Sequence, residues 1–139
     1  MDLSNSFEVG SYEVINARDG SIEKLLDTRE YFTEELYISN ISEGEIRGWK
    51  MHTRQEGRLF CIRGKVKFYI KQTASSPIVI VELSEKDNKI LILGPGSIYA
   101  FQGIKTFNSL LNAASLFHAE NESKIFKIDE KELRDLGDN

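Results

Sequence analysis

An all-β domain, built as a barrel or sandwich, is the fold class that this sequence predicts, and three features predict it. Val, Ile, Tyr and Phe recur in short runs rather than at helical spacing. Turn residues separate the runs: Arg63-Gly64 sits as in a tight hairpin, and Gly94-Pro95-Gly96 forces a sharp reversal. The 139 residues, 40% hydrophobic and 29% charged, suit one soluble domain spanning 1–139 with a self-sufficient core.

Strands are expected over residues 7–15, 32–41, 45–52, 58–62, 65–71, 78–83, 89–93, 97–102, 109–113 and 125–128. Ala74-Ser75-Ser76-Pro77 reads as a loop tip. Helix is expected only in two peripheral stretches: 21–26, where Ser21 caps a short turn, and 130–136, where Leu133 and Leu136 share a face. No run approaches the roughly 20 apolar residues of a membrane span, and the start, MDLSNSFEV, lacks the basic and apolar regions of a secretory signal. A single cysteine, Cys61, excludes an internal disulfide and fits a cytoplasmic protein; within Leu59-Phe60-Cys61-Ile62 it reads as a small buried hydrophobe. A net charge of −4, with both signs mixed along the chain, argues against long nucleic acid as a partner. A small diphosphate needs only a few well-placed cations, so a nucleotide ligand stays open.

Polar groups capable of chemistry are densest between Gly44 and Arg58. Strand alternation there places Ile46, Gly48, Lys50 and His52 on one face, which Arg58 joins from the next strand. Gly44, Lys50, His52, Glu56 and Gly64 resemble the first cupin motif, and Pro95-Gly96-Ser97-Ile98-Tyr99 resembles the second. Lys50 and Tyr99 stand where that family has metal-binding histidines. His52 and Glu56 alone fall short of the three or four protein ligands of a stable site, so no metal or other cofactor is expected.

From about Asp27 to Lys127 the chain is similar to the dTDP-4-dehydrorhamnose 3,5-epimerase group of cupins. Asp27-Thr28-Arg29-Glu30-Tyr31-Phe32-Thr33-Glu34 resembles that group's Asp-x-Arg-Gly-x-Phe-x-Glu, and Arg47-Gly48-Trp49-Lys50 its Arg-Gly-Leu-His. Arg58 falls where the group has a Lys. The later Pro95-Gly96-Ser97-Ile98-Tyr99-Ala100-Phe101 resembles its Pro-x-Gly-x-x-His-Gly-Phe region.

The resemblance implies a cupin jelly-roll barrel that dimerises and works on a nucleotide-linked 4-keto-6-deoxy sugar for surface polysaccharide synthesis. Such an enzyme removes a proton beside the keto group and returns it from the other face, which needs a base, a donor for the enolate oxygen and an opposed acid. Position by position, the group's base becomes Lys50 and its acid Tyr becomes Asn112, which has no proton to give. Lys50 or His52 is then the candidate base and Tyr99 the candidate acid. Arg29, Phe32, Glu34, Arg47, Arg58 and Asn112 are the candidate binding residues. The alternative is a degenerate cupin that binds a sugar nucleotide without converting it. Trp49 and Phe101 read as core or dimer-contact aromatics, His118 as incidental, and Arg54 and Lys65 as solvated charges.

Overall fold

The computed structural model describes residues 7–117, 123–127 and 129–137, so His118 lies outside the described residues. In chain order the strands are β1 (Phe7–Ser11), β2 (Glu13–Ala17), β3 (Gly20–Lys24), β4 (Glu35–Ser42), β5 (Ile46–His52), β6 (Gly57–Arg63), β7 (Lys65–Lys71), β8 (Val79–Ser84), β9 (Lys89–Leu93), β10 (Ile98–Gly103), β11 (Phe107–Ala114) and β12 (Ser123–Ile125), followed by α1 (Glu130–Gly137). One antiparallel sheet has the order β1-β9-β6-β11-β4 and the other β12-β5-β10-β7-β8. From β4 onward the chain passes from one sheet to the other at nearly every connection, which wraps it into the expected jelly-roll barrel.

The alternation along each strand decides what the barrel encloses. Ile41, Leu59, Cys61, Leu91, Leu93 and Leu110 from the first sheet meet Val66, Phe68, Ile70, Leu83 and Tyr99 from the second in one buried cluster. Truncating a fully buried aromatic such as Phe68 costs about 3–5 kcal/mol in cores of this kind. Burial raises the Cys61 thiol to about 11, so it stays neutral and unreactive inside this cluster.

Each sheet also has an outer face to cover. On the second, Trp49, Tyr69, Ile98 and Ala100 pack under Leu133 of α1. The Asp129 carboxylate caps that helix by accepting from the backbone N–H groups of Lys131 and Glu132. On the first, Phe60, Ile90 and Ile92 lie beneath Tyr12, Leu25, Leu26 and Tyr31.

That covering explains two departures from the sequence reading. The expected strand 7–15 breaks at Tyr12, whose backbone bonds Asn88 and whose ring meets Phe60 edge-on at 5.8 Å. The expected helix over 21–26 is instead strand β3, because Arg18 and Asp19 turn the chain back and Ile22 pairs with Ile15 across a hairpin. A six-residue helical turn would have formed too few hydrogen bonds to compete.

Asn108 joins three parts of the barrel wall from a buried position. Its Oδ1 accepts from the N–H groups of Lys65 and Lys105, and its Nδ2 donates to the carbonyls of Ile41 and Lys105. The hairpin residue Gly64, at φ +76°, has room only for hydrogen, since a Cβ would collide with Phe107 O and Asn108 Oδ1. Asn108→Ala leaves those backbone groups unpaired inside the protein. It is expected to lower stability by about 3 kcal/mol, read from the urea midpoint, whereas Arg54→Ala on the surface should change it by less than about 0.5 kcal/mol.

Candidate active site

Simple alternation along β5 would separate Arg47 from Lys50, three residues on. The pairing with β10 shows why they meet. Met51 and Lys50 oppose Ile98 and Tyr99, Arg47 and Ile46 oppose Phe101 and Gln102, and Gly48 with Trp49 both stand against Ala100 alone. This bulge reverses the facing of the strand on one side of it. Arg47 and Lys50 therefore both turn into the barrel, while Ile46, Trp49 and Met51 pack outside. The expectation that Ile46 shares a face with Lys50 and His52 is corrected by this one extra residue.

Only glycine fits at the bulge. Gly48 has φ +119°, and a Cβ there would lie 2.6 Å from Tyr99 O and 2.7 Å from Ala100 Cα.

The inward side chains border a cleft of about 200 Å³ at the barrel mouth, lined by Tyr37, Ser39, Arg47, Gly48, Lys50, Leu59, Tyr99, Phe101, Leu110 and Asn112. Arg47 and Lys50 are its only charged lining residues among those described. At the lip, Arg47 donates through Nε to Glu45 at 3.1 Å and through Nη2 to the Asn40 carbonyl at 2.6 Å. The Glu45 carboxyl is held below its ordinary value by the Ser42 N–H and then by Arg47.

Tyr99 fills the inner end, its hydroxyl 3.3 Å from His52 Nε2 and its ring stacked beside Phe101. His52 is buried behind Tyr99 and does not line the cleft. Asn112 is fixed by its neighbours: Oδ1 accepts from the Arg58 N–H at 3.2 Å, and Nδ2 donates to the Tyr37 hydroxyl at 2.8 Å.

Other candidates from the sequence stand elsewhere. Arg58 projects from the opposite face of β6, where it pairs with Glu56 at 2.7 Å, donates to Phe32 O and lies 5.3 Å from the Tyr31 ring centre. It is buried and anchors the 27–34 segment to the sheet. Arg29 is on that segment, 91% exposed and paired with Asp27. That hydrogen-bonded pairing holds the Asp27 carboxyl below its ordinary value. Arg29 and Asp27 border a wider, open basin of about 540 Å³ outside the barrel, where ions of both signs mix. Phe32 is 71% exposed, and the Glu34 N–H bonds Ala114 O at the foot of β11. Lys65 pairs with Glu82.

The structure thus brings together Arg47, Lys50, Tyr99 and Asn112, with His52 behind them, and leaves Arg29, Phe32, Glu34 and Arg58 outside. It adds Tyr37 and Ser39, which alternation on β4 turns inward. Among the described residues no three His, Cys, Asp or Glu side chains gather as metal ligands. Glu56 is turned toward Arg58, and His52 toward Tyr99, so the donor set does not fit the usual cupin metal.

Gly48→Ala tests the bulge. The variant should be at least about 3 kcal/mol less stable to urea than the parent, because the added methyl meets backbone on the facing strand.

Compared by sequence, the chain matches no family model and no curated protein. Compared by structure, it is similar to the sugar 3,4-ketoisomerase QdtA from Thermoanaerobacterium thermosaccharolyticum, solved with TDP, at 18% identity and a TM-score of 0.77 over 87% of this chain and 88% of that one. It is similar also to the dTDP sugar isomerase from Desulfovibrio desulfuricans, at 20% identity and a TM-score of 0.79 over 91% of this chain and 87% of that one. A third likeness is to ChmJ, a 3'-monoepimerase from Streptomyces bikiniensis, at 14% identity and a TM-score of 0.77 over 88% and 70% of the two chains. The chain has the cupin-type jelly roll of these nucleotide-sugar isomerases and epimerases, the fold that its sequence motifs implied.

Proposed function

We propose that this protein binds a nucleotide-linked 4-keto-6-deoxy sugar in the barrel-mouth cleft and moves a proton beside the keto group, as an isomerase or epimerase. The observation that carries this reading is the cleft itself. Arg47, paired with Glu45 at the lip, and Lys50 border a small cavity whose other walls are apolar, hydroxyl-bearing or, at Asn112, amide. An anion is favoured beside the Arg47 guanidinium, which suits a diphosphate. A cavity of about 200 Å³ takes the sugar and leaves the nucleotide at the mouth, where Arg47 stands.

In this reading Lys50 is the base, since it lines the cleft while His52 is shielded behind Tyr99. Proton removal next to a carbonyl leaves charge on the keto oxygen, and the Tyr99 hydroxyl, held by His52, is the donor for it. Asn112 acts as a polar wall, Arg58 as a scaffold residue, and Arg29, Phe32 and Glu34 have no part. The structural neighbours solved with TDP support a thymidine nucleotide, and a cytoplasmic role in surface polysaccharide synthesis follows from the same reading.

A homodimer belongs to it as well. Every residue of β2 and β3 is exposed, including Val14, Ile15 and Ile22, and β4 leaves a free sheet edge flanked by exposed Leu36 and Ile38. A bare two-stranded hairpin is marginal in water, and a free edge invites pairing, so two copies that cover each other's surfaces form a symmetric pair. Sedimentation at micromolar concentration should give twice the mass of one chain; a monomer would remove this part of the proposal.

The test of the site compares dTDP, UDP and GDP forms by thermal shift. One nucleotide at millimolar concentration should raise the midpoint, the rise should shrink with added salt, and Arg47→Ala should lose most of it. No shift with any nucleotide would overturn the reading. Binding without solvent-proton exchange into a keto-sugar would leave a binding protein instead of an enzyme.

A further inference from the structure

The strand that carries Arg47 and Lys50 is closed on its outer side by the C-terminal segment. β12 pairs with β5 at Ser123 and His52, Lys124 and Met51, and Ile125 and Lys50; β5 would otherwise be the edge of its sheet. We propose that α1 locks the bulge at Gly48 from outside the barrel, with Leu133 as a positioning residue for Lys50 and Arg134 as one for Arg47. The proposal rests on the reading of the cleft above and adds residues that never touch the ligand.

The bulge has two ways to close, because regular pairing is restored by shifting either half of β5 by one residue. If the first half shifts while Lys50 stays opposite Tyr99, alternation turns Arg47 out of the barrel. If the second half shifts while Arg47 stays opposite Phe101, Trp49 turns in and Lys50 turns out. Each slip removes one cation from the cleft, and a strand held by a ladder on one side only resists such slips weakly.

The C-terminal segment opposes both. Leu133 is fully buried in one cluster with Trp49, and the Phe126 N–H donates to Trp49 O at 2.8 Å, so an inward turn of Trp49 breaks with the segment at once. Arg134 Nη2 donates to Gly44 O at 3.0 Å, just before β5 begins, so a shift of the first half draws Gly44 away from it. The two residues are neighbours on one helix, yet they guard different cations.

That division gives the test, made on the full chain at a temperature where every variant stays folded. Binding is titrated with dTDP, and chemistry is read as the maximal rate of deuterium uptake from solvent into a dTDP-linked 4-keto-6-deoxy sugar. Leu133→Ala should lower that rate about 10-fold or more with dTDP affinity within about threefold of the parent, and Leu133→Met should restore it. Trp49 is the chain's one tryptophan, so its emission should move in Leu133→Ala. Arg134→Ala should do the converse, weakening dTDP binding about fivefold or more with the maximal rate within about threefold. Ile90→Ala, a truncation beneath the cover of the other sheet, should change neither. Equal losses in Ile90→Ala and Leu133→Ala would overturn the proposal as an effect of stability alone. So would values within about twofold of the parent in both α1 variants. If Leu133→Ala does not fold, Leu133→Val takes its place. A parent that binds dTDP without uptake removes the isomerase or epimerase reading and the part given to Leu133, while Arg134→Ala still decides the other part. A parent that binds no dTDP removes the reading of the cleft and the whole proposal with it.

Discussion

The close approach of β5 to β10 at Gly48 is the contact on which the rest of the site depends. Two residues of β5 face the single residue Ala100, and Gly48 sits where any side chain would meet backbone. Because of that extra residue, Trp49 leaves the barrel and packs with Tyr69, Ile98 and Leu133, while Arg47 and Lys50 both enter it. One irregularity thus builds the outer cluster that seats α1 and also sets two cations side by side at the barrel mouth. β-Bulges commonly re-aim side chains in this manner near functional sites.

The buried polar groups divide between holding the barrel and shaping the cleft. Asn108 and Arg58 satisfy backbone carbonyls and N–H groups or pair with a carboxylate, so their burial stabilises connections that the sheets alone do not make. Asn112 serves both ends: its carbonyl oxygen satisfies a β6 N–H while its amide sets the direction of the Tyr37 hydroxyl. His52 Nε2 lies 3.3 Å from the Tyr99 hydroxyl in a comparable position behind the cleft. A polar residue of this kind acts on the cleft through a neighbour, which is why its sequence position alone suggested direct contact with a ligand.

Much of the barrel was legible in the chain because strand signals are local. Alternating Val, Ile, Tyr and Phe between Gly, Pro and Asn turns fixes where most strands lie, and the helix at Glu130–Gly137 follows from one apolar stripe. The hairpin at β2 and β3 was missed over 21–26, where a short stretch with a capping serine satisfies helical and extended patterns alike and cross-strand pairing decides. Arg47, Lys50, Tyr99 and Asn112 were named from motif order, and they do line one cavity. Arg58 carried the same motif signal yet faces outward, since the parity of its strand puts it over Tyr31 and Glu56.

By itself, the sequence determined the fold class, the burial of Cys61 and the strands that carry the cations, because each follows from residue type and short spacing. Tertiary structure alone decided which of those residues share a cavity. Facing depends on the bulge at Gly48, and the nearness of Tyr37 to Asn112 depends on a register between strands 75 residues apart in the chain. No local pattern encodes such a register; it is set when two sheets close on one core and bury their inward apolar faces against each other.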